Sequence, residues 1–95
     1  MKMSYEEYQA MSTDLVALIR QTAPSSRLNF KDLVKSYVRA IVSEGDDKER
    51  DRNTALAKLV VRRLVEQNQL VVIDDDTGAS AANNPLLAVH PNYGA

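Results

Sequence analysis

Leu70-Val71-Val72-Ile73, followed by Asp74-Asp75-Asp76-Thr77-Gly78-Ala79-Ser80-Ala81-Ala82-Asn83-Asn84-Pro85 and then by Leu86-Leu87-Ala88-Val89, is the stretch on which the fold turns. Each apolar quartet is short, aliphatic and bounded by polar sequence, which suits a strand better than a further helix. The segment between them is small and polar and carries Gly78 and Pro85, so residues 74–85 are expected to form a flexible hairpin loop. A hairpin on its own is marginal in water. Its apolar face must therefore rest on something built earlier in the chain.

What precedes it is helical. Leu56, Leu59, Val60 and Leu64 repeat at helical spacing, and Asn68 suits a left-handed stop after Gln67, so a third helix is expected over about 50–67. The mixed-sign run Asp46-Asp47-Lys48-Glu49-Arg50-Asp51-Arg52 reads as a short turn leading into it. Further back, Phe30, Leu33, Val34, Tyr37, Val38 and Ile41 form a broad apolar stripe with Lys35 and Arg39 opposite. This predicts a second helix over 30–44, with Asn29 as N-cap, Asp32 favourable to the dipole, Leu28 and Leu33 as a hydrophobic staple, and Gly45 at the C′ position. The first helix, 5–21, opens on a capping-box pattern of Ser4 and Glu7 with Met3 and Tyr8 as its staple, and Met11, Leu15, Leu18 and Ile19 continue its apolar face. Thr22-Ala23-Pro24-Ser25-Ser26 is a loop. Helix, helix, helix, strand, loop, strand is the order of a winged helix, a variant of the helix-turn-helix. The fold class is thus mainly α with a small β-hairpin (α+β), with an antiparallel wing of two strands, or of three if the segment near Arg27-Leu28 pairs as well. All of 1–95 belongs to one domain.

Length and composition agree. Ninety-five residues support one core, and 44% apolar with 26% charged residues is ordinary for a globular domain. The absence of cysteine removes disulfides and thiolate metal sites and fits a reducing compartment, cytosol or nucleus. No apolar run approaches the roughly 20 residues that cross a bilayer, and Met1-Lys2-Met3 leads into polar sequence rather than a signal-peptide core. The chain reads as a piece of something longer. Its net charge of -1 lacks the basic excess of a dedicated nucleic-acid domain.

Little in the sequence supports catalysis. His90 is the sole histidine, and Ser12, Ser25, Ser26, Ser36, Ser43 and Ser80 sit in no nucleophile motif, so no catalytic residue, metal site or cofactor is expected. Asp74-Asp75-Asp76 lacks the alternating ligands, central glycine and terminal glutamate of a calcium loop. Three carboxylates on a wing also repel DNA phosphate. Lys58 and Arg62, one turn apart on the third helix, form a small basic patch that could reach phosphates or guanine edges, and this is the alternative nucleic-acid reading. More informative is the turn between the second and third helices. There Glu44, Asp46, Asp47, Glu49 and Asp51 surround Val42, an acidic rim beside an apolar residue that suits a basic amphipathic partner segment.

Four stretches carry a resemblance: Ser4-Tyr5-Glu6-Glu7-Tyr8, Asp32-Leu33-Val34 with Tyr37, Val60-Val61-Arg62-Arg63-Leu64, and Leu87-Ala88-Val89-His90-Pro91-Asn92-Tyr93. Together they resemble the C-terminal winged-helix domain of subunit six of the eukaryotic minichromosome maintenance (MCM) helicase, over nearly the whole chain. The resemblance implies a nuclear, non-catalytic domain whose parent is an ATP-driven helicase. No phosphate-binding loop occurs here. It also implies that the domain binds the chromatin licensing and DNA replication factor, meets other MCM subunits through its parent, and touches DNA weakly or not at all. The family's contact surface uses acidic side chains and a leucine around the end of the second helix and the start of the third. Here Val42 stands where an acidic contact is expected, Glu49 matches another after a single-residue deletion, and Asp51 or Arg52 meets the leucine position. The expected partner-binding set is therefore Val42, Glu44, Asp46, Asp47, Glu49, Asp51 and Arg52.

Overall fold

Ser4 starts the first helix by accepting a hydrogen bond from the Glu7 backbone N–H at 3.1 Å, and its hydroxyl donates to Glu7 Oε1 at 3.3 Å. The computed structural model describes residues 3–22, 26–73 and 83–93. Its elements are α1 (Tyr5–Gln21), β1 (Arg27–Asn29), α2 (Phe30–Ile41), α3 (Asp47–Glu66), β2 (Leu70–Ile73) and β3 (Leu86–Val89). The sheet is antiparallel with order β1-β3-β2, so the segment at Arg27-Leu28 does pair, and the strand last in sequence is central. Leu28 and Val72 flank Leu87, Arg27 and Val71 flank Ala88, and Leu70 lies opposite Val89.

One apolar core joins the helices to the sheet. Leu15 and Ile19 of α1, Leu33 of α2, Ala57 of α3 and Leu87 of β3 are wholly buried. Two residues of the expected stripes are not in it: Ile41 is 48% exposed and Leu59 45% exposed. On α3 the buried residues are Leu56, Ala57, Val60, Val61 and Leu64. At 100° per residue their face is centred well away from Leu59, which the apolar periodicity alone had placed inside.

Two expected boundaries and one expected cap are corrected. Helix α2 ends at Ile41 rather than at 44, because Val42 turns extended (φ -108°, ψ 131°) while its N–H still donates to Val38 O. Gly45 has φ +92°, but it serves the turn closed by the Asp46 N–H on Ser43 O at 3.2 Å and is not the helix C′ residue. Helix α3 begins at Asp47 rather than at 50. Asp46 Oδ1 accepts from Glu49 N at 3.3 Å, and Asp47 and Glu49 place negative charge at the positive end of the helix dipole. The charge run is thus the first turn of the helix. At its far end Gln67 is the cap and Asn68 takes φ 58°, the left-handed stop.

The third correction concerns α2's start. Asn29 occupies the N-cap position but is also the last residue of β1, and its side chain makes no capping bond. Instead Asn29 Nδ2 donates to Asn84 O at 3.2 Å, and Asn84 Oδ1 accepts from the Lys31 backbone N–H at 2.9 Å. The Phe30 N–H donates to Pro85 O at 2.9 Å. The cap is supplied from across the fold. Asn84 and Pro85, expected in the flexible loop, therefore latch onto α2, while residues 74–82 of that loop lie outside the described residues.

Candidate functional site

Because α2 stops at Ile41 and α3 starts at Asp47, their facing ends leave an open groove of about 610 Å³. Val34, Val38 and Val42 form its apolar side, Lys35, Arg39 and Arg50 carry positive charge into it, and Glu44 and Thr54 complete the lining. Val42 is half-buried and packs on the core, so it presents apolar surface without being free to swing.

The expected partner-binding residues separate by what else they do. Val42 and Glu44 line the groove. Asp46 caps α3, and Asp47 Oδ1 lies 3.4 Å from Arg50 Nη1 in an exposed pair one turn on. Glu49 is held by Asn53, whose Nδ2 donates to the Glu49 carbonyl at 2.8 Å and to its Oε2 at 3.3 Å. Asp51 is exposed on the turn that follows Arg50, and its helical position falls on the same side as Asp47, Arg50 and Thr54. Arg52 lies about 200° round the helix from Arg50, pointing away from the groove. Glu44 and Asp51 make no hydrogen bond or ion pair among the described residues. Their charges are available to a partner.

Sequence reasoning missed Lys35, Arg39, Arg50 and Thr54. Lys35 and Arg39 were assigned to the solvated back of α2, and Arg50 was hidden in a charge run whose helical phase was unknown. The groove is consequently mixed in sign, with the Glu44 carboxylate at its turn end and cations along α2 and on the first turn of α3.

On α3, Lys58 and Arg62 are both exposed, and the Arg62 guanidinium sits 5.8 Å from the centroid of the Phe30 ring. Arg63 lies 5.7 Å over Tyr8, whose hydroxyl donates to Gln67 Oε1 at 3.2 Å. Burial, aided by the nearby Asp14 carboxylate, raises the Tyr37 phenol above its ordinary 10.0. Among the described residues no His/Asp/Glu cluster could hold a metal ion, and no helix is long and apolar enough to cross a membrane.

Three helices with α2 and α3 as a helix-turn-helix, followed by a hairpin that packs back on them and recruits β1, define a winged-helix domain. The sequence profile of the MCM6 C-terminal winged-helix domain matches residues 1–95, the whole chain, and the chain belongs to that family of replication-helicase domains. No curated protein and no solved structure matches it.

Proposed function

We propose that this domain is a protein-docking module of the replicative MCM helicase and that it binds the chromatin licensing and DNA replication factor across the α2–α3 groove. The observation that carries the reading is Val42: a half-buried apolar residue in an open groove, with the unengaged carboxylate of Glu44 in its lining and that of Asp51 exposed on the same side of α3 as Arg50 and Thr54. An apolar anchor desolvates in the groove, Glu44 and Asp51 steer the basic part of the segment, and Lys35, Arg39 and Arg50 meet its acidic part, which together fix its register. Of the expected set, Val42, Glu44 and Asp51 are the direct contacts, and Arg52, turned away from the groove, is not one. Asp46, Asp47 and Glu49 hold the start of α3 in place. In this reading the domain works in the nucleus, in a parent chain assembled with other MCM subunits.

Isothermal titration against the licensing factor of the same organism tests it. Glu44→Lys with Asp51→Lys should weaken binding about tenfold or more, because two attractive charges become repulsive while the fold keeps every bond described above. Lys58→Glu with Arg62→Glu should leave partner binding nearly unchanged. The reverse pattern would move the interface to the exposed face of α3 and sink the assignment. The exposure of Lys58 and Arg62 favours a second reading, in which α3 contacts DNA. A phosphate-driven contact would weaken steeply with salt, whereas a chain of net charge -1 built for docking should bind random duplex poorly at any physiological salt.

A further inference from the structure

The outer face of the sheet forms a second groove of about 620 Å³ between the end of α1 and the turn after β3. Arg27, Ala88 and Val71 stand in one row across β1, β3 and β2, and Ile73, two residues beyond Val71, shares their face. This gives an aliphatic floor. Around it stand Arg20, Arg27 and His90, and among the described residues no carboxylate lines it. His90 adds a donor rather than an acceptor. Its Nδ1 accepts from the Asn92 backbone N–H at 3.0 Å, so in the neutral ring the proton belongs to Nε2. Two features hold the rim in shape. The Arg20 guanidinium sits 5.0 Å from the centroid of the Tyr93 ring, and Ser26, immediately before Arg27, is kept at φ 55°, a left-handed conformation that a side-chain-bearing residue adopts only under constraint.

We propose that this sheet-face groove is a second docking site, which takes an acidic peptide segment carrying aliphatic side chains. The charge complementarity rests on Arg20 and Arg27, which line the groove together with His90, and among the described residues no carboxylate lines it. The floor then accepts aliphatic side chains between the acidic ones. Single-stranded nucleic acid fits less well. Base stacking needs open aromatic faces, and one face of the Tyr93 ring is already taken by Arg20. The overall charge of -1 also offers a long polyanion no attraction at a distance. The site shares no lining residue with the α2–α3 groove, so the two could be occupied by different segments.

The test uses the whole 95-residue chain, so that any repulsion from Asp74, Asp75 and Asp76, which follow Ile73 in sequence, is included in the affinity. A fluorescein-labelled peptide of alternating glutamate and leucine is titrated by anisotropy and by amide chemical-shift mapping. The expected result is saturable binding with shifts concentrated at Val71, Ala88, Val89 and His90. Arg27→Glu should weaken it about tenfold or more, with a smaller loss for Arg20→Gln, while Glu44→Lys with Asp51→Lys leaves it unchanged. Preserved amide dispersion in each variant excludes unfolding. The same peptide with lysine for glutamate should not bind. The proposal is overturned if the acidic peptide gives no saturable signal, if its shifts map to the α2–α3 groove, if Arg27→Glu has no effect, or if oligothymidylate binds the same amides more tightly than the peptide.

Discussion

Replacing Asn84 by alanine should loosen the start of α2, some fifty residues away in sequence. Its Oδ1 is the acceptor for the Lys31 backbone N–H at 2.9 Å, the second N–H of the helix, which an N-cap side chain ordinarily satisfies. Alanine keeps the two latch bonds that end on main-chain oxygens, from Asn29 Nδ2 to Asn84 O and from Phe30 N to Pro85 O, and deletes only the cap. The loss is therefore that of a capping side chain, about 1 kcal/mol within a range of roughly 0.5–2. For a domain of this size that lowers the melting midpoint by about 4–8 °C per kcal/mol. Asn84→Asp keeps the acceptor and adds negative charge at the helix N-terminus, so its stability should equal or exceed the parent's by up to about 1 kcal/mol at neutral pH. Thermal unfolding by circular dichroism gives the midpoints, and hydrogen exchange at the Lys31 amide reports the bond itself. If Asn84→Ala left both the midpoint and Lys31 protection unchanged, the helix would be capped by something else and the argument would fail.

Three further outcomes follow from particular residues. Ser12 is buried in α1 with a hydroxyl that meets no partner among the described residues, so Ser12→Ala should raise stability by about 1 kcal/mol in urea unfolding; a loss would mean that the hydroxyl is satisfied after all. Gly45 sits at φ +92° with open space where a Cβ would fall, so Gly45→Ala should cost about 1–2 kcal/mol from backbone strain alone, and an unchanged midpoint would refute that strain. Burial raises the folded pKa of Tyr37 above 10.0, so the folded state holds that proton more tightly than the unfolded chain. Stability from this residue is complete below pH 10.0 and falls as pH rises above it, and Tyr37→Phe should flatten that alkaline slope in melts taken across the range.

Local chemistry made most of the architecture legible before any coordinates. Ser4 with Glu7 marked the start of α1 because both partners of the bond lie within one turn, and the β2 and β3 bounds followed from two clean aliphatic quartets. The misread boundaries depend on longer-range or phase-sensitive information. Asn29 has the composition of a cap, yet the acceptor that serves α2 is Asn84, and no window along the chain contains both. The charged run 46–52 holds no buried residue, so periodicity had nothing to detect until Leu56, although Asp46 was already capping a helix. For the candidate docking groove, Val42 and the acidic turn were visible in composition. The cations of the groove were not, because placing Arg50 beside Arg39 requires knowing where α2 stops and with what phase α3 begins.

The order β1-β3-β2 also sets a timetable. While the chain is being synthesised, Arg27–Asn29 and Leu70–Ile73 are finished well before Leu86–Val89, and in the completed sheet neither pairs with anything but that late strand. The Asn84 and Pro85 acceptors that hold the first turn of α2 arrive with the same late segment. Until Val89 has cleared the ribosome, the three helices can gather around Leu15, Leu33 and Leu64, but Leu70 has no strand beside it and the seat of Leu87 stands empty. The nascent domain therefore waits as an incomplete helical cluster with unpaired strand edges, the condition in which chains are most exposed to aggregation and to chaperone capture. One short strand ends that interval, closing sheet, core and helix cap in a single step.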